Sequence, residues 1–341
     1  MKRMICVFFA TIIVLPGLVF PAFALSFSSG PRKLNNQFED GCYGNYDYVF
    51  FSPVDSEDDA VKYPLTIWLH GKRSGTFPRA QLQWYEFCNW SSDEYQALFE
   101  NAGGCFLLAP RAQSLDNSWD QERTGTLKAI IDDFIAQNAD HIDTSRIYIA
   151  GYSTGGSMVW NMLTAYPDFF AAGLPLAAIT QPTAAGLAKL KDTSVWVFVS
   201  DNDPYIITES GDVIPNFNYL SGITNRPDGV RLTRFSEAFF ADGTKQMNGD
   251  RPADDAEHYI WECATYDMFM EDGVTPYYCA TTTDANGNTL TFTPGHALIS
   301  WLSRQTNEKA DAQKDLSFFA RLRLFFERIL NFFREMFSFA R

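Results

Sequence analysis

Short apolar runs alternate with helical periodicity through the middle of the chain. Residues 46–52 (YDYVFFS), 64–70 (PLTIWLH), 105–109 (CFLLA), 147–149, 194–199 (SVWVFV) and 230–235 are strand-length and carry β-branched, aromatic or leucine side chains, and the small, apolar run 171–178 returns to the sheet. Between them, residues 122–138 put Leu127, Ile130, Ile131, Phe134 and Ile135 on one helical face. Residues 158–166 are rich in helix formers and hold no Pro or Gly. Pro110 closes one strand, Asp143-Thr144-Ser145 turns into the central one, and 230–235 is the last strand candidate. There is no internal repeat. Apolar strands alternating with helices predict an α/β domain, a mostly parallel sheet with helices on both faces. In such a sheet the site lies beyond the carboxyl ends of the strands. The loops after His70, Ala109, Ala150, Val199 and Phe235 are therefore the places to search.

The ends follow other patterns. Lys2 and Arg3 precede a segment, 4–20, that is apolar except at Thr11, Pro16 and Gly17, and Ala22-Phe23-Ala24 follows. This is the pattern of an export signal over 1–24, with a mature chain starting at Leu25. Residues 25–304 then form the catalytic domain and 305–317 a polar linker. Residues 318–341 are an amphipathic C-terminal helix. Phe318, Leu322, Phe325, Phe326, Ile329, Phe332, Phe333, Met336 and Phe337 fall on its apolar half, and it carries five Arg against two Glu. It suits a membrane surface, or docking on the parent domain, or self-association with another copy.

With 46% hydrophobic and 20% charged residues, a chain of 341 residues is globular and buries a large core. Its formal charge of −14 argues against nucleic acid as a partner, because a backbone binder needs a basic face. Of six cysteines, Cys6 leaves with the signal, so Cys42, Cys88, Cys105, Cys263 and Cys279 remain as an odd set in a disulfide-permissive setting. Cys263 and Cys279 are near enough in sequence to close a loop, but the connectivity stays open. No cysteine has zinc spacing, so no metal is expected.

The chemistry concentrates at Gly151-Tyr152-Ser153-Thr154-Gly155, a G-x-S-x-G match with a strand before it and a helix after it. That context defines a nucleophile elbow, with the Ser153 hydroxyl exposed above the sheet. A serine needs a base, and the base needs an acid to hold its tautomer. The chain has four histidines. His70 and His141 precede Ser153, which leaves His258 or His296 as the base in the order Ser, acid, His. Asp203, after the strand 194–199, is the acid, with Asp201 as the fallback. The backbone N–H groups of Thr154, Gly71 and Lys72 are the oxyanion donors, and His70 is a packing or loop-ordering residue rather than a proton carrier. Trp84, Tyr85, Trp90 and Trp119 lie in loops on the active side. Trp84 and Trp119 are the substrate-binding candidates, with lid packing as the other reading. No cofactor is required.

These residues resemble a group of secreted α/β-hydrolases, the polyhydroxybutyrate-depolymerase-like or feruloyl-esterase-like esterases, also described as predicted prolyl-oligopeptidase-type peptidases. The resemblance rests on PLTIWLHG (64–71), FLLAP (106–110), the run 141–176 around Ser153, VWVFVSDNDP (195–204) and HYIW (258–261). It spans about 46–305. It implies the α/β-hydrolase fold, Ser153 as nucleophile, Asp203 as acid, and a base followed three residues on by Trp. That favours His258 with Trp261, and makes Trp301-Leu302 part of the closing helix. The chain departs from the group in three places. Val199-Ser200 replaces the usual His-Gly before the acid loop, GKRSG (71–75) is poorer in Gly than the usual oxyanion loop, and the approach to His258 is long. The expectation is a secreted serine hydrolase acting by acyl transfer on a small-molecule or polymer-linked carboxylic ester. A serine peptidase of prolyl-oligopeptidase type and a non-catalytic binding protein on the same scaffold are the alternatives.

Overall fold

The computed structural model of the protein describes residues 34–54, 61–72, 79–82, 85–100, 102–113, 118–206, 213–243, 257–307 and 309. The expected signal (1–24), the expected C-terminal helix (318–341) and Trp84 lie outside the described residues.

Ten strands form one sheet in the order β1-β2-β4-β3-β5-β6-β7-β8-β9-β10. β1 (Glu39–Tyr43) and β2 (Tyr46–Phe51) make an antiparallel hairpin, and β2 runs antiparallel to β4 (Phe106–Pro110). Every pairing is parallel from β4 through β3 (Tyr63–Leu69), β5 (Ile142–Tyr152), β6 (Ala172–Leu176) and β7 (Ser194–Ser200) to β8 (Val230–Phe235). β9 (Ala280–Asp284) and β10 (Thr289–Leu290) return antiparallel at the far edge. This mostly parallel sheet, with β4 inserted between β2 and β3, is an α/β-hydrolase sheet.

The sequence pattern explains the layers. β3, β4, β6 and β7 are buried at every residue, as strands covered on both faces must be. On one face, α2 (Thr124–Gln137; α1 is Asp93–Gln96) buries Leu127, Ile130, Ile131 and Phe134. The Phe134 ring meets Tyr48, Phe50 and Phe106 at 5.3–6.1 Å. The elbow helix α3 (Thr154–Ala165) lies on the same face, with Gly151 and Gly155 against Leu69. On the other face, Trp68 stacks on Phe87 at 4.7 Å and Trp196 meets Trp301 edge-on at 5.1 Å.

Three expectations change. The strand 230–235 is not the last, because β9 follows it. β9 reads ATTTD and has no apolar run, so its pairing rests on threonines. Trp196 Nε1 donates to Thr233 Oγ1 at 2.8 Å, and Thr233 and Thr282 share a hydroxyl hydrogen bond at 2.7 Å. Asp143, Thr144 and Ser145 lie inside β5 rather than in a turn before it. The Asp143 carboxylate accepts from Ser145 N–H and Arg146 Nε, which folds a local turn into the strand where its register with β3 shifts. Finally, the cysteine connectivity that the sequence left open is settled among the described residues, where Cys42, Cys88, Cys105, Cys263 and Cys279 are free, Cys263 buried and Cys279 exposed.

Candidate active site

β5 ends at Tyr152 and α3 begins at Thr154, so Ser153 occupies the corner between them. Its backbone sits at φ 56°, ψ −119°, a region that costs a non-glycine residue on the order of 1–3 kcal/mol. Its N–H donates to Leu176 O at 3.0 Å, which ties the corner to the end of β6. Gly155 is needed for space. A Cβ there would lie 2.2 Å from Leu69 O. Gly71, just past β3, is pressed as closely, since a Cβ on it would meet the Tyr152 ring at 2.6 Å and Ser153 Cβ at 3.3 Å. The loop after β3 therefore runs directly beside the serine.

The candidate base and acid from the sequence reading meet at Ser153. His258 Nε2 lies 2.9 Å from Ser153 Oγ, and His258 Nδ1 lies 2.7 Å from Asp203 Oδ2. The Asp203 side chain is fully buried. Its other oxygen, Oδ1, accepts from Tyr205 N–H at 2.8 Å; Pro204 between them has no N–H to offer. The acid loop is fastened to the end of β8, because Asp201 N–H donates to Phe235 O and Asn202 Nδ2 donates to Ser236 O, both at 2.9 Å. Asp201, the fallback acid, points away and pairs with Arg234 at 2.9 Å.

Trp261 explains why a tryptophan belongs three residues after His258. Its ring stacks on Tyr152, the residue before Ser153, at 4.2 Å, and lies edge-on to His258 at 5.8 Å. One indole thus joins the start of α6 (Glu262–Thr265) to the elbow. His296, the alternative base, is elsewhere. It is exposed, with Nδ1 3.6 Å from Glu100, just before α7 (Leu298–Ser303); α4 (Ala184–Leu187) and α5 (Val213–Ile223) lie between in sequence.

Two elements border the serine. Thr154 is the first residue of α3, and the N–H groups of a first helical turn have no acceptor within the helix. On the other side, His70 Nδ1 lies 2.7 Å from Gly71 O, while its Nε2 accepts from Ala112 N–H at 3.0 Å. The backbone donor fixes Nε2 as the acceptor, so Nδ1 carries the proton and donates to Gly71 O. In a trans peptide the next N–H points opposite to the carbonyl, so this bond also aims the N–H of Lys72. Burial pushes the His70 pKa down to about 4 and keeps the ring neutral in this role.

Trp119 is buried with its ring 5.5 Å from His70, which places it in the packing beside the oxyanion loop. Trp90 is likewise core, against Trp68 and Phe99. Sequence reasoning missed Tyr205, which is 63% exposed with its ring edge-on to His258 at 4.8 Å. It also missed Glu257 and the part Ser200 plays beyond being a departure before the acid loop. No spacing rule marks any of the three. Among the described residues, no group of three or more His, Cys, Asp or Glu side chains could hold a metal ion. Among them also, no helix is long and apolar enough to cross a membrane.

A serine hydroxyl on a strained corner at the start of a helix, aligned with an imidazole and a buried carboxylate, is an arrangement suited to acyl transfer. Fold and site together define an α/β-hydrolase. Residues 111–203 match the prolyl oligopeptidase family. Feruloyl esterase B of Thermothelomyces thermophilus is 26% identical over 108 residues, which are 28% of this chain and 36% of the relative. Poly(3-hydroxyalkanoate) depolymerase C of Paucimonas lemoignei is 29% identical over 127 residues, 33% of this chain and 27% of the relative. The chain thus spans about a third of the length of these curated relatives. A solved thermostable esterase superposes with a TM-score of 0.54 at 26% identity, over 68% of this chain and 61% of that one. The chain has the α/β-hydrolase fold and is similar, over the matched residues, to the prolyl oligopeptidase family and to esterases.

Proposed function

We propose that this hydrolase cleaves carboxylic esters through Ser153, His258 and Asp203. The observation that carries the proposal is the unbroken line from Asp203 Oδ2 through His258 to Ser153 Oγ, at 2.7 and 2.9 Å. His258 Nε2 takes the serine proton as Oγ attacks the ester carbonyl. Asp203 holds the Nδ1–H tautomer and stabilises the imidazolium that forms. The N–H groups of Thr154, Gly71 and Lys72 receive the oxyanion. The imidazolium protonates the departing alcohol, and a water activated by the same ring then releases the acyl group from Ser153.

The names of the relatives and of the thermostable esterase support an ester, of small-molecule or polymer-linked kind, over a peptide. The prolyl oligopeptidase match covers only 111–203, the part that holds the elbow and the acid loop and that both chemistries use. A fluorophosphonate probe tests the reading, because it reacts only with an activated serine. Labelling is expected at Ser153 in the wild-type protein and not in His258→Ala. Equal labelling of the two would remove His258 from its role.

The same reading places the enzyme outside the cytoplasm, on the strength of Lys2, Arg3, the apolar segment 4–20 and Ala22-Phe23-Ala24. Exported protein is expected to begin at Leu25 by intact mass, and material retaining Met1 would overturn it.

A further inference from the structure

The acid and the base reach Ser153 on separate loops, and their relative position decides whether the proton can move. His258 follows β8 by more than twenty residues, on a segment that ends neither a strand nor a long helix. Something other than secondary structure must hold it against the acid loop.

Glu257, the residue before His258, supplies that hold. Its Oε2 accepts from Ser200 Oγ at 2.5 Å and from the N–H of Ala238 at 3.2 Å. Ser200 is the last residue of β7 and is fully buried. Its hydroxyl oxygen also accepts from Asn202 N–H at 3.3 Å, inside the turn that presents Asp203. One hydroxyl therefore touches both the acid loop and the neighbour of the base. A second carboxylate repeats the device further on, where Glu262 accepts from Ala241 N–H at 2.7 Å. The segment after β8 is thus held to the segment that carries His258 at two points, Ala238 to Glu257 and Ala241 to Glu262. A hydroxyl-to-carboxylate hydrogen bond is roughly twice as strong as a neutral one. Glycine at 200 would leave the Glu257 carboxylate without it.

We propose that Glu257 is a positioning residue which, with Ser200, fixes His258 in register with Asp203. The proposal rests on the Ser153–His258–Asp203 reading, so Ser153→Ala is carried as a control; turnover surviving in that variant would fault the reading and not the clamp. The experiment measures kcat and KM for a short-chain nitrophenyl ester, together with thermal unfolding, in Glu257→Ala, Glu257→Gln, Ser200→Ala and the Ser200→Ala/Glu257→Ala double variant. Glu257→Ala is expected to lower kcat at least tenfold with KM within about twofold, a factor of ten being about 1.4 kcal/mol in the barrier. Glu257→Gln should recover most of the loss, because its amide oxygen still accepts from Ser200 and Ala238. The double variant should be no worse than the poorer single one, since both break the same bond. If Glu257→Ala does not fold, Ser200→Ala, which removes only a hydroxyl, carries the same expectation. An unchanged kcat, a loss confined to stability, additive single effects, or a Gln variant as poor as the Ala variant would each overturn the proposal.

Discussion

Asp203→Asn is expected to lower kcat on a nitrophenyl ester by about 10⁴-fold, or about 5.5 kcal/mol in the barrier, and to leave the fold in place. The size follows from which oxygen does what. Asp203 Oδ1 accepts the N–H of Tyr205 at 2.8 Å, and Oδ2 accepts Nδ1–H of His258 at 2.7 Å. Asparagine has one acceptor and one donor at these positions. The Tyr205 N–H fixes the amide oxygen at the Oδ1 site, so the NH₂ group faces Nδ1. Nδ1 must then accept, and the ring proton moves to Nε2. An Nε2–H pointing at Ser153 Oγ cannot take the serine proton. Asparagine is also nearly isosteric, and the side chain is fully buried, so the packing survives. Steady-state kinetics beside a circular-dichroism melt checks both halves. A variant within tenfold of wild type would show that Asp203 does not set the tautomer.

The parts of this molecule legible in sequence are those whose environment is uniform along the chain. β3, β4, β6 and β7 are covered on both faces, so every residue is apolar or small, and the runs stand out. The elbow was legible because the G-x-S-x-G spacing and the strand before and helix after it are all local, although the contacts that require its glycines come from Leu69 and His70 far along the chain. β1 (EDGCY), exposed or half-buried throughout, and β9 (ATTTD), where buried and less buried residues alternate, lie towards the edges of the sheet, so neither shows a hydrophobic run. The choice between His258 and His296 turns on Trp261 stacking on Tyr152 across more than a hundred residues, which no local period encodes. Asp201 and Asp203 lie two residues apart in the same turn. Which of them faces inward depends on Arg234 drawing Asp201 outward, and that is a fact about β8. Ser200 and Glu257 look like ordinary polar residues until the loops are folded against each other.

Asp267→Asn is expected to tilt the pH dependence of stability by about 4 kcal/mol between pH 4 and 7. Asp267 is fully buried just past α6, where its Oδ1 accepts the N–H of Ile299 at 2.7 Å while Oδ2 has no partner among the described residues. Burial raises its pKa to about 7, against the two amides at the start of α7 that favour the charged form. A carboxyl whose pKa is raised on folding contributes stability in full below the unfolded value near 3.8. That contribution is lost as pH rises through about 7. His70 slopes the other way. Its folded value of about 4 lies below the ordinary 6.5, so its contribution is present above pH 6.5 and is lost as pH falls to about 4. That loss is about 3 kcal/mol. Over the shared window the two slopes nearly cancel, and the wild-type protein hides both. Asparagine keeps the acceptor for Ile299 and removes the proton equilibrium, so the variant should gain stability over wild type steadily as pH rises. His70→Gln, which keeps an acceptor for Ala112, should tilt the profile the opposite way. Urea unfolding midpoints across pH 4–8 for the three proteins decide it. A constant difference between Asp267→Asn and wild type over that range would mean that Asp267 ionises as an ordinary carboxylate despite its burial.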